Sequence, residues 1–215
     1  MAITILLIAI AYGVIVLDQA SKLLIFYTME IGQEIEILPG FFRLHYITNP
    51  GMSFGLFGGE NQRWIFMILS PIALIAIGVY LFRFSKDRLP MKIGLSFILA
   101  GGFSNMIDRI FYGDKLFHGE VIDVFDFYGI WNAIFNVADS FVCIGAALVI
   151  CSLLYDIIKE KRDKKQEAVK KAEELNEKMS GTDITPSAEE IKDIKITKPN
   201  GLDNTKPKSE ENRDS

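Results

Sequence analysis

The sequence predicts an all-α membrane protein with four transmembrane helices, a small extracytoplasmic β platform and a disordered, charged C-terminal tail. Three observations lead to that class. Half of the 215 residues are hydrophobic, and the mean hydropathy is +0.25. That mean conceals two regions, because the chain is rich in Ile, Leu, Phe and Gly up to Tyr155 and has no aromatic residue after it. Within the first region, four apolar segments alternate with charged links.

The first segment, MAITILLIAIAYGVIVL, is uncharged up to Asp18 and extends to about Phe26. The second, WIFMILSPIALIAIGVYLF, lies between Arg63 and Arg83 and is long enough to span a hydrocarbon core of roughly 30 Å. Pro71 inside it predicts a kink, which neighbouring helices tolerate in membranes. The third, IGLSFILAGGFSNMI, sits between Lys92 and Asp108. The fourth runs from about Trp131 to Tyr155 and contains Asp139. Between the first two segments, EIEILPGFFRLHYITNPG alternates enough to suggest short strands at the membrane surface.

Basic residues in short links set the orientation. Arg83, Lys86, Arg88 and Lys92 join the second and third segments, and Lys159, Lys161, Arg162, Lys164 and Lys165 follow the fourth. Both places are therefore expected in the cytoplasm, as are both termini. Residues from about Tyr27 to Gln62 and from about Tyr112 to Ile130 fall on the other side, with Trp64 and Trp131 as interfacial aromatics. The N-terminus lacks the basic start and the small-residue cleavage site of a signal peptide.

The expected organisation is a membrane domain over residues 1–158 and a charged, largely disordered tail over 159–215. The tail is poor in large apolar residues, so burial there cannot offset the entropy of ordering. Its first part, KEKRDKKQEAVKKAEELNEK, is dominated by Glu, Lys and Ala and is compatible with a polar helix. Much of the charge sits in this tail, so the net charge of −4 says little about partners. Cys143 and Cys151 lie eight residues apart in one apolar helix, too far for a disulfide.

The orientation brings Asp18, Asp108, Asp123, Asp126 and Asp139 to the outer ends of their helices or to the loops beyond. A carboxylate next to hydrocarbon is costly and marks a functional site. Asp18 and Lys22 stand at i, i+4 and can pair, either as an interfacial ion pair ending the helix or as part of a site. Asn105, Asp108 and Arg109 share one helical neighbourhood, after Gly101 and Gly102, which suit close helix packing. Arg109 can neutralise an acid, bind a substrate carbonyl, or pair with Asp108 and snorkel outward. Asn136 and Asp139, at i, i+3, face the same way, and Asp123 in a loop before the fourth span can come beside Asp139. Two carboxylates around one water can share a proton, one acting as base and the other as acid. Proton relay and ion binding use intramembrane acids too, and spacing alone leaves these alternatives open. His45 and His118 are the only histidines, without zinc-protease spacing, and Ser53, Ser104 and Ser140 have no evident basic partner. No self-similarity between the halves favours a carrier built from repeats. A purely structural membrane subunit leaves the polar cluster unexplained.

Together these pieces closely resemble the bacterial lipoprotein signal peptidase (signal peptidase II) family. The stretches that carry the resemblance are LDQASK (17–22), TNPGMSFGLF (48–57), AGGFSNMIDR (100–109), VIDVFDF (121–127) and FNVADS (135–140), in the family's order. The resemblance implies a membrane aspartic endopeptidase that removes the signal peptide of a prolipoprotein, on the amino side of a Cys carrying diacylglycerol. It implies that Asp123 and Asp139 are catalytic, with Asp18, Lys22, Asn49, Gly51, Asn105, Asp108, Arg109 and Asn136 as supporting or substrate-binding residues. Asp126 is then not catalytic. Neither metal nor cofactor is implied. Partners would be prolipoproteins, membrane lipid and globomycin-like peptide inhibitors, with no nucleic acid, and the chain would be a monomer in the bacterial cytoplasmic (inner) membrane. Two departures stand out: Ser104 occupies a position where the family commonly has Gly, and the tail beyond about Lys159 has no counterpart in shorter members.

Overall fold

In the computed structural model the described residues are 2–51, 62–83 and 88–181. The residues after Gly51 in TNPGMSFGLF, Ser53 among them, lie outside that set, as do Lys86 and the proline-containing end of the tail. The chain divides into two units, residues 1–155 and 156–215. Among the described residues the order is α1 (Ala2–Thr28), β1 (Glu34–Leu38), β2 (Phe42–Asn49), α2 (Gln62–Arg83), α3 (Leu89–Phe111), β3 (Val121–Asp126), β4 (Ile134–Phe135) and α4 (Val137–Gly181).

Three of these helices, α1, α2 and α4, have stretches long and apolar enough to cross a membrane. Their outward side chains, such as Ile5, Ile8, Ile68, Ile75 and Ile150, are exposed in the isolated chain, as suits lipid-facing surfaces. The third expected span, α3, differs. Its 23 residues rise about 34 Å at helical pitch, so length is sufficient, but it is not apolar enough to qualify by composition. Ser96, Ser104, Asn105 and Asp108 are buried on it, so its polar side chains face protein rather than hydrocarbon.

Close approach between α3 and α4 depends on glycine. A Cβ on Gly101 would lie 2.5 Å from the Ala138 carbonyl oxygen, and one on Gly94 would lie 2.7 Å from that of Gly145. Gly102 faces α2 instead, where a Cβ would meet Leu74 at 2.7 Å. The expectation that Gly101 and Gly102 serve helix packing therefore matches the contacts, with a different neighbour for each. A smaller apolar core of Leu7, Leu81, Met91 and Leu95 ties α1, α2 and α3.

The platform is one antiparallel sheet in the order β1-β2-β3-β4. Ile122 and Val124 of β3 pack with Tyr46 of β2 against Ile25 and Met29 at the end of α1. Between Leu44 and Ile47 the β2–β3 pairing shifts: Leu44 opposes Phe125 whereas Ile47 opposes Asp123. Three steps on β2 thus match two on β3, which is a β-bulge. Asp123, placed in a loop by the sequence alone, is instead a strand residue. VIDVFD lacks a clean polar–apolar alternation because both of its faces are covered, Val121 to Val124 all being buried.

In the second unit α4 continues to Gly181, so the first part of the tail takes the polar helix with which its composition is compatible. Strong helix formers and i, i+4 pairs explain it: Lys164 Nζ meets Glu160 at 2.6 Å and Lys171 meets Glu167 at 3.0 Å. Each such pair adds a little helix stability.

The glycine contact gives a test. Gly101→Ala should force α3 and α4 apart against a backbone oxygen, costing roughly 1–3 kcal/mol. Thermal unfolding of the purified protein in detergent should show the drop, whereas Gly13→Ala, with nothing near its added Cβ, should not.

Candidate active site

The site begins with a buried ammonium. Lys22 is 1% exposed, and its Nζ lies 2.7 Å from Asp18 Oδ2 and 2.6 Å from Asp108 Oδ2, both acids being fully buried. It also donates to Asn105 Oδ1 at 2.8 Å. The Asp18–Lys22 spacing does give an ion pair, but a buried one rather than the surface pair that remained open. Burial demands these partners, since a lone charge in this environment costs several kcal/mol.

From Lys22 the network passes through amides. Asn105 Nδ2 donates to Asp139 Oδ1 at 2.8 Å, and Asn105 Oδ1 also accepts from Asn136 Nδ2 at 3.2 Å. Asn136 Nδ2 donates to Asp123 Oδ1 at 2.7 Å. Asn49 Nδ2 extends the network by donating to Asp123 Oδ2 at 2.9 Å. Asn49 is itself fixed by the Gly51 N–H, which donates to its Oδ1 at 2.8 Å. Gly51 adopts φ +115°, and any Cβ there would strike the Phe66 ring at 2.5 Å, so glycine is required twice over.

Helix capping places Asp139. Asn136 Oδ1 accepts from the Asp139 N–H at 2.9 Å, and Asp139 Oδ2 accepts from the Asn136 N–H at 3.3 Å. This is the reciprocal arrangement of a capping box, with Asn and Asp in the two roles. One residue therefore caps α4 with its oxygen and holds Asp123 with its nitrogen. The structure thus brings Asp18, Lys22, Asn49, Asn105, Asp108, Asp123, Asn136 and Asp139 into one network, with Gly51 supporting Asn49.

Arg109 stands at the edge. Its Nη1 reaches the Asn105 carbonyl oxygen at 3.4 Å and its guanidinium carbon sits 5.6 Å from the Phe66 ring centroid. Its buried Nε has no hydrogen-bond partner among the described residues. Asp108 is already engaged by Lys22 and by Gln19, whose Nε2 donates to Asp108 Oδ1 at 2.7 Å.

Asp123 is 1% exposed. Its carboxyl is pushed up to about 7, chiefly by burial and then by the Asp139 charge, against the opposing pull of the Asn49 and Asn136 amides. A cavity of about 260 Å³ opens at this residue, lined also by Ile47 to Pro50 and Asn132 to Ile134.

Asp126 points elsewhere in the network of the sheet. Arg43 Nε donates to its Oδ2 at 2.6 Å, and Arg43 Nη1 meets Glu34 at 2.5 Å. The arginine thereby crosses three strands. Asp126 is buried and spends its carboxylate on this ion pair.

Two members of the network escape sequence reasoning as site residues. Gln19 Nε2 donates to Ser104 Oγ at 3.1 Å and to Asp108, and Ser104 Oγ donates to Asp18 Oδ2 at 2.7 Å. The available signal is spacing: Ser104 and Asp108 are i, i+4 on α3, opposite Asp18 and Lys22 at i, i+4 on α1. Among the described residues no group of three His, Cys, Asp or Glu is arranged to hold a metal ion. Cys143 and Cys151 are free and exposed.

Residues 10–155 match the profile of a family described as signal peptidase (SPase) II. The chain belongs to the signal peptidase II family. A lipoprotein signal peptidase of Geobacter sulfurreducens is 39% identical over 162 residues, covering 73% of this chain and 93% of that one. Another from Fusobacterium nucleatum subsp. nucleatum is 38% identical over 145 residues, 66% of this chain and 81% of that one. A solved structure, a bacterial membrane enzyme determined by the in meso method, superposes with a TM-score of 0.62 at 34% identity, covering 70% of this chain and 88% of that one. The chain is thus a membrane protease of the signal peptidase II type, acting in the removal of signal peptides from prolipoproteins.

Asp126 and Asp123 can be told apart experimentally. Asp126→Asn should lower the melting temperature by a few degrees, because Arg43 loses one of two carboxylates, while most cleavage activity persists. Loss of nearly all activity in a well-folded Asp126→Asn protein would contradict its placement in the sheet.

Proposed function

We propose that this signal peptidase II is an aspartic endopeptidase whose dyad is Asp123 and Asp139. The observation that carries the reading is a shared amide. Two carboxylates from different elements, the buried Asp123 of β3 and the half-buried Asp139 of α4, are both bonded to Asn136, through its side chain and its backbone N–H respectively.

The chemistry follows from the protonation of that pair. Asp123 keeps a proton to near neutral pH, so one acid and one carboxylate face a water between them. The carboxylate of Asp139 takes a proton from the water as it attacks the scissile carbonyl carbon, and Asp123 gives its proton to the carbonyl oxygen. On collapse of the tetrahedral species, Asp139 returns its proton to the leaving amine, the carbon–nitrogen bond breaks, and Asp123 regains its own. Amide donors from Asn49, Asn105 and Asn136 orient both acids, and Arg109, whose Nε–H has no partner among the described residues, is suited to bind a substrate carbonyl.

The substrate is a prolipoprotein carrying diacylglyceryl on its Cys, cut on the amino side of that residue. Its acyl chains and signal helix already hold it in the bilayer, so capture requires only lateral diffusion. We further propose four spans, with α3 as the third, both termini in the cytoplasm of a bacterial inner membrane and the site near the outer leaflet. What supports this is the basic content of the links after α2 and within α4. The enzyme works as a monomer, and globomycin-like peptides inhibit it by occupying the dyad.

Purified protein incubated with a diacylglyceryl-modified precursor should release the signal peptide. Asp123→Asn and Asp139→Asn should each reduce the rate by about 10²- to 10⁴-fold while leaving a folded protein. Substantial turnover by either variant would sink the dyad.

The pH dependence has a definite sign. A carboxyl raised to about 7 supplies its proton below that value and loses it above, so kcat should fall as pH rises through about 7. The midpoint belongs to the coupled pair rather than to either acid alone. A flat cleavage profile from pH 6 to 9 would contradict the shared proton.

A further inference from the structure

We infer that Ser104 is a positioning residue for Asp139, acting through Asp18 at the N-terminus of α4. The inference rests on the dyad reading above and adds to it a residue outside the acid and amide set. Ser104 is fully buried. Its hydroxyl accepts from Gln19 Nε2 at 3.1 Å and lies 2.7 Å from Asp18 Oδ2. A hydroxyl has one proton, and Gln19 approaches with a donor, so the serine proton is directed at Asp18.

Asp18 in turn is filled with donors. Oδ2 accepts from Ser104 and from Lys22. Oδ1 accepts from the Ala138 backbone N–H at 2.8 Å. That N–H belongs to the first turn of α4, whose N–H groups have no partners within the helix. A carboxylate from α1 therefore caps α4 from outside, beside the internal cap from Asn136, and favours the helix N-terminus electrostatically as well.

Ala138 immediately precedes Asp139. Its backbone is pinned from both sides, by Asp18 at the N–H and by the α3 backbone at Gly101, close to the Ala138 carbonyl oxygen. The hydroxyl of Ser104 holds the Asp18 carboxylate in the rotamer that makes this cap. Lys22 alone does not fix it, because an ammonium attracts a carboxylate from many directions and is shared with Asp108 and Asn105.

Purified full-length Ser104→Ala in detergent tests this against wild type, with Asp139→Asn as the control for the dyad. We expect kcat to fall about tenfold, the usual scale for one hydrogen bond to a charged group, with KM within about twofold. We also expect faster hydrogen exchange at the backbone amides of residues 137–139, with exchange elsewhere in α4 unchanged. A wild-type kcat overturns the inference, and so does a loss explained wholly by a smaller folded fraction. Unchanged exchange at 137–139 overturns it as well. Exchange needs no turnover, so if wild type fails to cleave the precursor, the dyad reading falls while this arm still decides whether Ser104 holds the cap.

Discussion

The membrane half of this protein is organised around the burial of one ammonium. Lys22 has no route to water, so α1 and α3 must deliver acceptors to it, and they do so with Asp18, Asp108 and Asn105. Removing one acid would leave Lys22 with the other, whereas removing both would leave an uncompensated buried charge, the costly half of a broken pair. Those same acceptors reach onward: Asp18 to the start of α4 and Asn105 to Asp139. A requirement of solvation in one helix thereby sets the geometry of a site built from two other helices and the sheet.

The two acids of the proposed dyad are handled differently from those two. Asn49, Asn105 and Asn136 hold them with neutral amides, and the nearest ammonium is one amide removed from Asp139. A direct cation would stabilise both carboxylates in their ionised form. Amide donors fix direction while leaving the proton's position to burial and mutual repulsion, the two largest influences on Asp123. The electrostatic work of structure and that of chemistry are kept in adjacent compartments, with Asn105 as the wall between them.

How much of this is legible in the sequence depends on whether a residue's partners are local. Asn136 and Asp139 lie three apart on one helix, and Asp18 and Lys22 four apart, so spacing alone pairs each. Asp123 and Asn49 meet only through the sheet register, and no local period encodes a pairing across 74 residues; family resemblance supplied them. Ser104 and Gln19 are uncharged, so neither carries the burial cost that draws attention to an acid. The character of α3 is hard to read for a related reason: a helix that faces protein can carry polar residues that a lipid-facing helix cannot. The polar continuation of α4 follows from helix propensity, which is too weak a signal to fix where such a helix stops.

The bulge in β2 has a consequence for which acid can serve. Along β3, Asp123 and Asp126 are three residues apart and so project from opposite sides of the sheet. Were β2 regular over its present length, Arg43 and Asn49, six residues apart, would project from one side and could not each accompany a different aspartate. The bulge acts as a parity switch: below it β2 is phased for the ion pair, above it for Asp123. Regular pairing over the same number of residues would leave the chain to satisfy one carboxylate or the other, so one irregular step in an ordinary-looking segment carries as much information as the identity of the acids.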